Sequence, residues 1–301
     1  MPSKPLSPSV VELKGDFEHE FVHTHGIRLH VVTAGENGNP LIVLIHGTFG
    51  GWFEYRDVIA PLAQKGFRVA AVDLRGFGMS DKPPAGLGQD IRTLTGDISG
   101  VIQALGYDKA IVVGNDTGAS LAWSVAIDKP ERVAGVVSIS GAYPVDFRRS
   151  MAARPWDFLY LLISSIWCRL PVRKVPQRFY KAELSNNTSS KFRKNDVLRF
   201  EENLRLRQSA AQIGNVQRGT IHNHRLLTSS VPLRWMERRV ESPVLFLYSG
   251  QRLWLPVIRR AKARVASAFT EQTIEKAKNM PHIENSSGFI EAISSWIRLT
   301  P

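Results

Sequence analysis

Four short runs between Leu41 and Ile139 constrain most strongly what this 301-residue chain can fold into. Leu41 to Ile45, Phe67 to Val72, Ala110 to Val113 and Val133 to Ile139 are largely apolar and rich in β-branched residues. Runs this short, with little alternation, fit strands buried on both faces, as in a parallel sheet. Helix-like stretches lie between them, at Trp52 to Gln64, Ile91 to Leu105 and Ala119 to Ile127. Strand and helix in this rhythm predict a doubly wound α/β sheet with right-handed crossovers. Two further strand-like runs come first, Glu20 to His23 and Arg28 to Thr33, split by a turn at His25-Gly26.

The rhythm stops near Tyr143. Residues 144–240 read as helical, basic and irregular, with Pro155, Pro171, Pro176 and Pro232 as breaks. Pro243 to Tyr248 resumes the buried-strand pattern, Thr270 to Glu275 reads as another strand, and Phe289 to Leu299 as a closing amphipathic helix. The expected plan is a loose arm over residues 1–18, one α/β core in two pieces (19–143 and 241–301), and a helical insertion over 144–240.

Charge follows the same division. The formal charge is +12, and from Pro144 to Val240 there are 19 Lys/Arg against 7 Asp/Glu, so the insertion holds the whole excess. Uniform basicity would point to a nucleic-acid binder; this asymmetry points to a module with its own surface, and nucleic acid is not the expected partner. Basic clusters at Arg148-Arg149, Arg173-Lys174 and Lys191 to Lys194, beside the apolar stretch Phe158 to Trp167, fit an anionic membrane surface better. The single Cys168 excludes a disulfide framework and a Cys-rich metal cluster. The longest uncharged apolar run, Phe158 to Cys168, is too short to span a bilayer, and Met1 to Val11 has no apolar signal core. The expected compartment is therefore cytoplasmic, with no metal and no cofactor.

Four local signals carry chemistry. In Val112-Val113-Gly114-Asn115-Asp116-Thr117-Gly118 an apolar strand runs through Gly-x-Asp-x-Gly into a helix. That is the layout of a nucleophile elbow, whose sharp turn needs small residues two positions either side of the nucleophile. The following helix dipole favours a carboxylate there. A carboxylate can attack a saturated carbon and form an alkyl ester. The Gly-rich turn His46-Gly47-Thr48-Phe49-Gly50-Gly51-Trp52 can point backbone N–H groups into the same site, with that of Thr117. Asp73 to Pro83 reads as a tight structural loop. Finally, Met280-Pro281-His282-Ile283-Glu284 follows the last strand, where a His can reach back as a general base.

In combination these signals resemble the α/β-hydrolase superfamily over residues 19–143 and 241–299. The Asp elbow and the stretches Trp52 to Arg56 and Asp73 to Pro83 resemble the epoxide hydrolase and haloalkane dehalogenase branch, epoxide hydrolases in particular. The resemblance implies a mostly parallel eight-stranded sheet flanked by helices, with residues 144–240 as a cap. It also implies Asp116 as nucleophile, His282 as the base that activates water, and the N–H groups of Thr48 and Thr117 as oxyanion donors. The substrate class it implies is a small hydrophobic or amphipathic molecule.

The chain departs from that pattern at several points. Phe49 stands where the family has Pro, and Thr117 stands where the halide-binding Trp of dehalogenases would be. The usual positions of the triad acid, after Tyr248 and at the end of the preceding strand, hold Gly250-Gln251-Arg252 and Ser140. Asp146 is the nearest substitute and Glu284 a weaker one. For the two cap tyrosines that donate to the epoxide oxygen, the nearest residues are Tyr160 and His224. The sequence therefore supports an epoxide-hydrolase-like enzyme and, as the alternative, a catalytically degenerate hydrolase-fold protein that binds a ligand, a partner or an anionic membrane through its cap.

Overall fold

A computed structural model describes residues 4–84, 90–168, 175–227 and 229–299. The core elements begin with β1 (Glu18–Thr24), β2 (Ile27–Ala34), β3 (Leu41–Ile45), α1 (Arg56–Gln64), β4 (Arg68–Val72), α2 (Ile91–Ala104), β5 (Ala110–Asn115), α3 (Thr117–Asp128) and β6 (Val133–Ile139). Six helices follow: α4 (Pro144–Ala153), α5 (Leu159–Trp167), α6 (Gln177–Asn187), α7 (Ser190–Asn195), α8 (Val197–Ala210) and α9 (Val216–Leu226). The chain then returns to the sheet through β7 (Val244–Tyr248), α10 (Leu255–Arg264), β8 (Phe269–Thr273), α11 (Pro281–Glu284) and α12 (Ser286–Leu299). Arg173 and Lys174, one of the basic pairs, lie outside the described residues.

The eight strands form one sheet in the order β1-β2-β4-β3-β5-β6-β7-β8. β1 and β2 pair antiparallel, as do β2 and β4, and every other neighbour is parallel. β3 and β5 are buried along their whole length, which is why their sequences lack alternation. β8, Phe-Thr-Glu-Gln-Thr, is the exposed edge, and its polar residues discourage further pairing.

The strand order also locates the site. From β3 the chain crosses to β4 on one side, and from β4 it crosses back over β3 to β5 on the other. The C-terminal ends of β3 and β5 thus flank the switch point, where loops diverge and leave a crevice. The Gly-rich turn follows β3 and the elbow follows β5. α3 starts directly at the elbow and is buried from Thr117 to Ile127, so it is fixed in the core.

Candidate active site

Asp116 has φ 53° and ψ −117°, a conformation sparsely populated outside glycine. The turn closes so tightly that a Cβ on Gly114 would lie 2.1 Å from the Gly118 carbonyl oxygen, and one on Gly118 would lie 2.3 Å from that of Ile45. Glycine at these two positions is a steric requirement of the elbow. The strain carries the carboxylate above the sheet edge. There Oδ2 accepts the Thr48 N–H at 3.1 Å, and the Thr117 N–H also reaches the carboxylate. Burial raises the pKa of Asp116, and these two donors partly offset the rise.

The donor loop is itself held rigidly. His46 Nδ1 donates to the Gly47 carbonyl at 2.7 Å, and its Nε2 accepts the Leu74 N–H at 3.2 Å. Asp73 accepts from His30 Nδ1 at 2.8 Å and from the Trp52 and Met79 N–H groups, each at 3.1 Å. Burial alone would raise the Asp73 pKa; the His30 hydrogen bond and the neighbouring imidazoles outweigh it and hold it low. Asp73 thus organises the loop and takes no part at the cavity. The Phe49 substitution also has a physical reason. Its ring packs edge-on to Tyr180 at 5.3 Å and lies 6.0 Å from His224, joining the donor loop to α6 and α9.

A cavity of about 290 Å³ opens over Asp116. Phe49, Phe147, Phe158, Tyr160 and Trp254 give it apolar walls, and Glu183, His224, Ser140 and Asn279 give it polar ones. Burial pushes the Tyr160 phenol up to about 12, so it stays protonated and able to donate. His224 Nε2 is 3.0 Å from Ser164 Oγ, and burial pulls the imidazole down to about 4. Among the described residues no group of three or more His, Cys, Asp or Glu side chains is arranged to hold a metal ion.

Two expected site residues are elsewhere. His282 is fully buried and absent from the described lining of the cavity; its ring stacks on Tyr55 at 4.8 Å and leans on Phe289 at 5.9 Å. Among the described residues neither of its nitrogens has a hydrogen-bond partner, and burial, helped by Arg207 and Arg199, holds its pKa near 3. The structure thus does not bring the His282 imidazole to the described cavity wall. Asp146 is likewise absent from the described lining of the cavity; it is paired with Arg264, which donates through both Nε and Nη2, the latter at 2.8 Å. Glu284 accepts the Ser189 N–H at 2.6 Å and the Lys278 N–H at 2.8 Å, which makes it a loop brace.

The residue that reaches the cavity from this loop is Asn279, three positions before His282. Its Oδ1 accepts from Ser140 Oγ at 3.2 Å and from Trp254 Nε1 at 3.3 Å. Its Nδ2 donates to Asn187 at 3.0 Å, and its carbonyl accepts from Asn115 Nδ2 at 3.0 Å. Sequence reasoning missed it because an amide does not titrate and so draws no attention in a search for acids and bases. Its signal was positional: it sits on the His282 loop, opposite Ser140 at the end of β6.

Sheet order, elbow and donor loop together define an α/β-hydrolase fold, with Asp116 at the tip of the elbow. In agreement, residues 40–165 match the family described as the α/β hydrolase fold. The chain is 42% identical over 125 residues to the AB hydrolase superfamily protein YfhM of Bacillus subtilis, covering 42% of this chain and 44% of that protein. It is 28% identical over 240 residues to mouse epoxide hydrolase 4, covering 77% of this chain and 65% of that one. The matches therefore span less than two thirds of these relatives' own length. The crystal structure of epoxide hydrolase A from Mycobacterium thermoresistibile superposes with a TM-score of 0.77 at 24% identity, covering 95% of this chain and 99% of that one. That likeness carries the fold.

Proposed function

We propose that the protein acts on small apolar epoxides through an alkyl ester formed on Asp116. One observation carries this reading: a strained, partly buried carboxylate, held by backbone N–H groups, faces a cavity with both aromatic and polar walls. One carboxylate oxygen rests on the donors while the other attacks a ring carbon. Tyr160, a protonated phenol on the cavity wall, supplies a proton to the opening oxygen. His224 is the alternative donor: its ring is neutral near pH 7, Nε2 is engaged with Ser164, and Nδ1 has no partner among the described residues. The names of the epoxide hydrolase relatives support the same substrate class. The test is incubation with styrene oxide and 1,2-epoxyoctane, followed by intact-mass and peptide mass spectrometry. The expected result is a mass gain of one epoxide on the Asp116 peptide, lost in Asp116→Asn. Absence of both adduct and diol across such a panel would refute the reading.

A specific surface feature favours a second element of function, docking on anionic lipid. Trp156, Leu159, Ile163 and Ile166 are 83%, 48%, 57% and 61% exposed, and their spacing of three, four and three puts them on one helical face. Phe158, Tyr160 and Leu161 on the same stretch line the cavity. Trp167 stacks on Phe179 at 4.9 Å, which brings α6 and its exposed Arg178 and Lys181 alongside. An apolar stripe beside cationic residues suits the interface of an anionic bilayer. Among the described residues no helix is long and apolar enough to cross a membrane. Co-sedimentation with phosphatidylserine-containing and pure phosphatidylcholine vesicles tests this; equal binding to both, or none, removes it.

A further inference from the structure

We infer that Asn279, hydrogen-bonded to Ser140, occupies the position from which a base would discharge the Asp116 ester, so the protein forms that ester faster than it releases it. This rests on the epoxide reading and concerns its second half only.

The two half-reactions make different demands. In the first, a carboxylate oxygen of Asp116 bonds to a ring carbon. The ring C–O bond breaks, its electron pair moves to the oxygen, and that oxygen takes the Tyr160 proton, which solvent later restores. No base is needed when Asp116 attacks as its carboxylate. In the second, water adds to Cγ of Asp116, and the developing oxyanion faces the Thr48 and Thr117 N–H groups. One water proton must leave as the bond forms. The bond from Cγ to the alkyl oxygen then breaks, that oxygen takes up a proton, and diol and free carboxylate result. A positioned base contributes about 10²–10⁴ to such a step.

Among the described residues, the groups around the ester do not supply that base. Ser140 and Asn279 do not titrate near neutral pH, and both Asn279 side-chain atoms are already engaged with Ser140, Trp254 and Asn187. Ser140, at φ 47°, is itself in a strained backbone conformation, and its hydroxyl is held by Asn279 Oδ1. Glu183 spends one oxygen on Arg207 and the other on Asn187, the latter at 2.6 Å. Asp157 lies 3.5 Å from Arg154. Lys278 donates to the Asn186 carbonyl. His224 is held near pKa 4, a weak base toward water. His282, on the same loop, is buried and absent from the described lining of the cavity.

The experiment measures the lifetime of the ester. Wild-type protein is reacted with styrene oxide, freed of excess epoxide, and followed by intact mass. The adduct is expected to persist and little diol to form beyond one equivalent. In Ser140→Asp/Asn279→His, an acid and an imidazole replace the hydroxyl and the amide, and discharge is expected to accelerate about 100-fold or more, with steady turnover. A wild-type adduct that discharges as fast as the double variant's overturns the inference while leaving the ester reading intact. So does wild-type discharge that follows a single ionisation and disappears in His224→Phe, which would make His224 the base. Absence of any adduct defeats the parent reading instead. Should the double variant fail to fold, the wild-type lifetime alone decides, since rapid multiple turnover is incompatible with the inference.

Discussion

At the scale of single residues, His282 makes the sharpest prediction. Its ring nitrogens have no partner among the described residues and its neighbours are aromatic, so it behaves as a buried ring. Its folded pKa, near 3, lies below the ordinary 6.5. The unfolded chain therefore binds a proton through that window while the folded one does not, and stability attributable to this residue falls as pH drops from about 6.5 toward 3. His282→Phe is expected to keep Asp116 adduct formation and to gain stability relative to wild type by about 1.4 kcal/mol per pH unit below 6.5. Urea melts at pH 7 and pH 5 check this; a constant difference between the two proteins would refute it. Asp116 was legible in the sequence because its elbow demands small residues at fixed offsets. Asn279 was not, because its meaning comes from Ser140, 139 residues away, which only the fold brings into contact.

At the scale of elements, two junctions decide whether the site holds together. One is the elbow between β5 and α3. Gly118→Ala would drive a methyl into the Ile45 carbonyl, so a loss of about 1–3 kcal/mol is expected, together with loss of Asp116 alkylation. An active variant of wild-type stability would show that the turn tolerates a side chain. The other junction is α8, which braces the insertion against the core. Arg207 donates to Glu54 at 2.6 Å and to Glu183 on α6, all three buried; burial raises the pKa of both carboxylates and Arg207 opposes the rise. Arg207→Leu would leave two buried carboxylates without their cation, and a cost of about 3–5 kcal/mol is expected in thermal or denaturant unfolding. The penalty should shrink as pH falls, because the orphaned carboxyls, with raised pKa values, then become neutral more readily than ordinary ones. The strands and core helices were readable from burial periodicity to within a few residues. This brace was not, since Glu54, Glu183 and Arg207 look in sequence like ordinary surface charges.

At the scale of the whole molecule, the charge separates from the chemistry. Residues 144–240 carry the entire excess of +12, yet the Arg207 guanidinium is consumed in a buried cluster with Glu54 and Glu183. What remains available to a partner is the exposed basic surface flanking the stripe of Trp156, Leu159, Ile163 and Ile166. Charge draws the protein to an anionic surface and is screened by salt; the apolar stripe is not. The two contributions can therefore be separated. Raising salt from 50 to 500 mM is expected to weaken binding of wild type to phosphatidylserine vesicles at least tenfold. Trp156→Ser/Ile163→Ser is expected to weaken it at both salt concentrations by a similar factor, while styrene oxide labelling of Asp116 in solution is unchanged. A double variant that binds like wild type would mean that the exposed stripe does not enter the bilayer, and that the basic surplus acts only as a solvated face.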